Sequence, residues 1–242
     1  NKFINLRDFR PTKMKVFIKI LTFVILPIVI VLLVCLNIQS VMAPVNFNKY
    51  KDQREAVGVQ RLKDIRTLQV AFKGETGHYA STLDSLVDFY NNGKIKIEMR
   101  IGSADDSVAV ANTARIKKRN PRITPAQMYE MYQKGENLVF SIETKLPVKD
   151  TLFNNRPNFV VDSLKYIPFS GGEPVQMQST IKTVSGVKVP LFEACMPYKL
   201  LLKGLNNQLR INLDFSRTDT GRYPGLKVGS IDQPNNNAGN WE

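Results

Sequence analysis

His78 is the one histidine in this chain of 242 residues, so a Ser-His-Asp or Cys-His nucleophilic site would have to be built on it. It stands in the polar stretch Gly77-His78-Tyr79, with no serine elbow or cysteine motif elsewhere, and reads as a surface turn residue. A zinc centre needs several His or Cys ligands at set spacing. One histidine and two cysteines, Cys35 and Cys195, do not supply it. Asp105-Asp106 pairs two carboxylates, but adjacent residues do not converge on one point. The residues after them lack the alternating oxygens, central glycine and terminal glutamate of a calcium loop. Gly102, Gly171-Gly172 and Gly204 match neither phosphate-loop nor dinucleotide patterns. A glycosidase-type carboxylate pair has no spacing signal to mark it among the acids. Cys195 lies in the apolar segment Phe192-Glu193-Ala194-Cys195-Met196 and reads as a buried, inert thiol. These residue types predict a protein that is not an enzyme and carries no cofactor and no metal.

The elements that would position any site begin with a membrane segment. From Ile20 to Asn48 there is no charged residue, and Ile20 to Leu36 is nearly all Leu, Ile, Val and Phe. About 20 apolar residues cross a hydrocarbon core, whereas a signal-peptide core is about 7 to 15 residues long. The stretch 16–43 therefore reads as a transmembrane helix, marked by Ile20, Pro27, Cys35 and Leu36. Val41-Met42-Ala43 offers small residues for cleavage, but Pro44 follows directly and disfavours it, so the anchor is expected to be retained. Cys35 lies inside the apolar run behind Val34, not after it, which is wrong for a lipoprotein. Pro27 is tolerable there, because membrane helices accept proline where neighbours satisfy the freed carbonyl. Lys2, Arg7, Arg10, Lys13, Lys15 and Lys19 precede the run against Asp8 alone. The positive-inside rule then makes 1–15 a cytoplasmic basic tail and exports the remainder.

The net charge of +13 suggests nucleic acid, but its distribution argues otherwise. Of 34 basic and 21 acidic residues, 6 and 1 precede Ile20, leaving 28 and 20 interspersed along the exported part. The exception is the cluster Arg115, Lys117, Lys118, Arg119 and Arg122, a candidate contact for anionic lipid or an acidic partner, and otherwise a solvated loop.

The exported part reads as α+β, with an amphipathic helix first and a strand-rich, mostly antiparallel domain after it. A short break is expected over Pro44 to Asn48. Val59, Leu62, Ile65, Leu68 and Phe72 then recur at steps of three and four, and Gly74 and Gly77 bound that helix. A second helix follows Ser81 as N-cap, with Leu83, Leu86, Val87 and Tyr90 as its stripe, and stops at Asn92-Gly93. Residues 94–101 alternate as a half-buried strand. Residues 103–122 read as a polar, flexible excursion. Thr124-Pro125-Ala126-Gln127 is a capping box opening a helix to about Lys134. Strands are expected over 138–146, 159–169, 173–184, 186–202 and 209–215, with Ser185-Gly186 as a hairpin turn. The organisation is thus 1–15 tail, 16–43 span, 49–93 helical segment, 94–232 α+β domain and 233–242 polar tail, poorly ordered unless Trp241 docks it.

Residues 61–86, RLKDIRTLQVAFKGETGHYASTLDSL, resemble the part of type II and type IV pseudopilins that follows their membrane helix. There an amphipathic helix leads into a Gly-x-Tyr turn and a short segment ending in leucine. Gly77, Tyr79 and Leu83 occupy those places here. The prepilin processing signature, a glycine before a phenylalanine-led apolar run with a glutamate five residues in, is not found over 10–25. The resemblance implies a single-pass subunit of a bacterial envelope machine, placed in the inner membrane with its head in the periplasm. A secretion apparatus or a proton-driven motor of the TonB-energising kind would supply the setting. Its partners would be the lipid bilayer and other inner-membrane and periplasmic proteins in a hetero-oligomer, with no nucleic acid. The alternatives are a pseudopilin-like filament component and a periplasmic hydrolase.

Overall fold

In the computed structural model, which describes Ile18, Lys19 and residues 21 to 242, one helix carries both the apolar run and the core of the head. Residues 1–17, which include the tail 1–15, and Ile20 lie outside the described residues. Helix α1 spans Leu26–Thr76, 51 residues, behind a π-helical turn Leu21–Ile25. Its most apolar stretch is entirely unburied, and it is long and apolar enough to cross a membrane. Pro27 occupies the first turn of α1, where a missing N–H is best tolerated, directly after the widened π turn.

The break expected at Pro44 to Asn48 does not occur: α1 runs through Pro44. A proline inside a helix costs about 3 kcal/mol. Packing on the far side holds the helix to its course, since Phe47, one turn on, is already buried in the core of the head. Beyond it Leu62, Ile65 and Leu68 are fully buried, flanked by partly buried Val59 and Phe72, as their spacing predicts. Gly58 on the same side lets the sheet approach closely, because a Cβ there would lie 2.7 Å from Leu226 Cδ1.

Gly77 ends α1 at φ 81, its N–H donating to the Lys73 carbonyl at 2.8 Å. No atom crowds the position of a Cβ there, so Gly77→Ala meets backbone strain alone. It is expected to lower stability by about 1 kcal/mol, read from urea unfolding of the detergent-solubilised protein.

Helix α2 (Leu83–Asn92) is capped by Thr82, not Ser81, with Thr82 Oγ1 accepting from the Ser85 N–H at 3.2 Å, and it buries Leu86, Val87 and Tyr90. Strand β1 (Lys94–Ile101) comes next. Residues 103–122 are not a flexible excursion: they hold α3 (Ser107–Arg119). Asp106 caps it, accepting from Val108 and Ala109 N–H at 2.9 and 3.1 Å. Ala109 and Thr113 are buried along it, with Ile116 against a small second core of Met128, Leu138 and Phe140. Helix α4 (Pro125–Gln133) opens with the expected Thr124–Gln127 capping box. Strand β2 (Phe140–Pro147) then pairs antiparallel with β1, Lys94 opposite Pro147.

Residues 159–169 form no strand; a 3-10 turn, Val161–Lys165, takes their place. Strands β3 (Gln176–Val184) and β4 (Val187–Pro197) make a hairpin about Ser185-Gly186 at φ 51 and 82, the left-handed pair a type I′ turn requires. Residues 209–215 are not a strand either. They lie in α5 (Asn207–Asp219), capped by Asn206. Strand β5 (Gly225–Gly229), unread in the sequence because it is short and bounded by glycines, completes the antiparallel order β3-β4-β5. The polar C-terminus is docked: Trp241 packs on the core, and the Glu242 carboxylate meets Arg66 at 2.7 Å. The fold is α+β as expected, 52% helical and 20% strand with the long apolar helix included, and its two sheets are antiparallel.

Candidate functional site

Asp64 is the charged residue that α1 takes into the protein: its side chain is 8% exposed. Burying a carboxylate is costly unless it is paired and hydrogen-bonded. Arg156 supplies both, donating through Nη1 and Nη2 at 3.0 and 2.8 Å, and Gln60 donates to the same carboxylate at 2.9 Å. The Arg156 guanidinium lies against the Phe153 and Phe159 rings, 4.6 and 4.9 Å from their centroids, while the two rings pack on each other at 4.3 Å. Phe153 sits at φ 61, a strained conformation for a bulky residue, in the turn that delivers this arrangement.

Arg61, one turn back along α1, donates to the Tyr166 carbonyl. Burial pulls its pKa down and the Asp64 charge pushes it up, and an arginine stays protonated throughout. These groups line a groove of about 880 Å³. Val57 on one side and Phe159, Val160 and Leu164 on the other give it apolar walls. Its charged groups are two guanidiniums against one carboxylate. Such a groove suits the binding of an apolar segment carrying an acid.

The residues singled out in the sequence fall elsewhere. Gly77 and Tyr79 form the turn after α1, and Leu83 opens α2, half-buried. Tyr79 packs its ring on Phe192 at 4.8 Å, and its hydroxyl accepts from Asn237 Nδ2 at 2.8 Å. Cys35 and Leu36 are exposed on the apolar part of α1. Arg115, Lys117, Lys118 and Arg119 lie in the last turns of α3, with Arg122 just beyond. All of them are exposed. Cations suit a helix C-terminus, and helical spacing separates Lys117 from the Arg115–Arg119 face. None of these residues lines the groove. His78 is exposed, with Nδ1 3.2 Å from the Tyr79 carbonyl oxygen and the ring edge-on to Phe72. Among the described residues no group of three or more His, Cys, Asp or Glu could hold a metal ion.

The Cys195 thiol is pushed up to about 12, first by burial and then by the Glu193 charge. It is therefore a thiol and not a thiolate at neutral pH, and a weak nucleophile. Maleimide labelling of the Cys35→Ala protein is expected to be undetectable at neutral pH until urea unfolds it, and rapid afterwards.

A second polar cluster joins α1 to α5. The buried Tyr198 hydroxyl accepts from Arg217 at 2.8 Å, and burial, then Glu55, pushes its pKa up. Asp214 pairs with Arg210, yet its Oδ1 is buried without a partner and burial raises its pKa despite the arginine. Its folded value lies above its unfolded one, so the fold favours the protonated acid and loses stability as pH rises through the carboxylate range. Asp214→Asn, which keeps an acceptor for Arg210, is expected to stabilise the protein at neutral pH. That gain should vanish in acid, as thermal unfolding at several pH values would report.

No family model, curated protein or solved structure matches this chain. Sequence reasoning missed the groove. Its signals were an aspartate beside the apolar stripe of α1 and an arginine between two phenylalanines in FNNRPNF.

Proposed function

We propose that this chain is a non-enzymatic, single-pass inner-membrane subunit of a bacterial envelope complex, its N-terminus cytoplasmic and its head in the periplasm. The groove beside α1 takes an apolar, acid-bearing segment of a partner protein. The observation that carries this reading is α1 itself: one continuous helix joins an unburied apolar half to the core of a head, and the groove opens on that same helix. A partner held there is coupled mechanically to the span. The basic tail before the apolar run favours the orientation, and a secretion or energised-transport machine is the proposed setting.

The test is extraction in mild detergent followed by affinity capture. Stoichiometric partners are expected, and Val160→Asp, which puts a charge on the groove wall, should release them while the protein stays folded. A monodisperse lone protein from native membranes would overturn the reading. A pseudopilin-like filament component is the second reading, favoured by the passage of α1 through Pro44 without a break. Terminal sequencing of protein from native membranes separates the two, since a processed N-terminus is expected of a filament subunit.

A further inference from the structure

We infer that the base of the head is a membrane-docking face, with α5 lying on the bilayer surface. This rests on the proposal that the apolar half of α1 spans that bilayer.

The level of α5 is set by strand direction. Strand β4 runs beside α1: Pro190 and Leu191 share a surface cleft with Val70 and Lys73, whereas Tyr198, just past its other end, is beside Glu55. Leu201 and Leu226 close on Gly58, and Arg54 donates to the Leu201 and Lys203 carbonyls at 3.2 and 2.8 Å. The chain leaving β4 therefore enters the end of the head nearest the span. Helix α5 starts from that end at Asn207, and the chain returns at Gly225, which pairs with Pro197. Both ends of α5 are thus anchored at the base.

Its orientation is set by packing. Leu209 and Leu213 pack against the core. Ile211 and Phe215, two positions on from each and so about 200° round the helix, are 42% and 70% exposed. With the core on one side of α5, this apolar pair points away from the head.

Its distance from lipid is set by length. The charge-free stretch 20–48 would rise roughly 43 Å as a helix, the thickness of a bilayer with its headgroups. Phe47 is already buried in the core, so no stalk separates head from membrane. Charge complementarity selects lipid as the occupant. Lys199 and Lys203 are exposed at the base, the Lys203 ammonium donating to the Ser170 carbonyl at 2.9 Å, and Phe169 is 51% exposed over the Arg54 guanidinium. Of the two α5 acids, Asp214 is paired with Arg210 and Asp219 is exposed at the last position of the helix. Aromatic side chains beside lysines are the pairing that suits a headgroup layer over anionic phosphates.

The test uses the full-length protein in vesicles of phosphatidylcholine and phosphatidylglycerol containing a nitroxide-labelled lipid. Trp241, the single tryptophan, is the baseline, because it is docked beside Arg66, roughly 29 Å along α1 from Phe47. Phe215→Trp adds a reporter at an exposed position. Its emission is expected to shift to the blue and be quenched at least about twofold more than the wild type by a nitroxide near the headgroups. Omitting phosphatidylglycerol, or combining Lys199→Glu with Lys203→Glu, should lower that excess. A protein that floats with the vesicles but shows no excess quenching overturns the docking face, and leaves the base free for a protein partner. A protein that fails to float overturns the anchor instead.

Discussion

Arg156→Met is expected to destabilise the full-length protein by about 3–5 kcal/mol, the usual cost of stripping one partner from a buried ion pair. Methionine keeps contact with Phe153 and Phe159 but gives up both bonds to Asp64, whose side chain is 8% exposed and retains only Gln60. Asp64→Leu combined with Arg156→Met should recover most of the loss, because no charge is then left buried. Urea unfolding followed by Trp241 fluorescence and circular dichroism measures both. A single-mutant loss under about 1 kcal/mol would mean that water reaches Asp64 through the groove. The double variant also separates stability from binding: a well-folded protein that no longer holds its partner would place the ion pair in recognition.

The second large effect falls on the turn after α1. Gln69 is fully buried, and its amide grips the Ala80 backbone twice, Nε2 donating to the carbonyl and Oε1 accepting from the N–H, each at 2.9 Å. Gln69→Leu leaves both backbone groups without a partner at the core, and about 2–4 kcal/mol of stability should be lost. Gln69→Glu keeps an acceptor for the Ala80 N–H but sets a buried carboxylate oxygen against the Ala80 carbonyl. It should cost at least as much as the leucine at neutral pH and less in acid, where the protonated carboxyl can donate. Because this clamp holds Tyr79 against Phe192, the leucine variant is also expected to speed hydrogen exchange across residues 77–82.

Legibility in the sequence varied with the range of the interactions. The stripe Val59, Leu62, Ile65, Leu68, Phe72 was legible because large apolar side chains repeat at the helical period. Helix α3 was not, because its inward positions are Ala109, Thr113 and Ile116, two of which carry little hydrophobic signal. In α5 the alternation Leu209, Ile211, Leu213, Phe215 has the period of a strand, yet it is two apolar pairs on opposite sides of a helix, and only the inner pair is covered. The groove was the least legible feature, since Asp64 and Arg156 are 92 positions apart and neither is unusual locally.

By itself the sequence determined the unbroken apolar run, the buried stripe beyond it, the Thr124 and Gly77 helix ends and the Ser185-Gly186 turn. Each depends on residues within a few positions of one another, where spacing and backbone preference act directly. The tertiary structure alone decided that α1 passes through Pro44, that Asp64 meets Arg156, that residues 209–215 are helical and that the C-terminus is docked. Those outcomes depend on contacts between distant segments, and the free energy of such contacts outweighs the local preference that each segment shows in isolation.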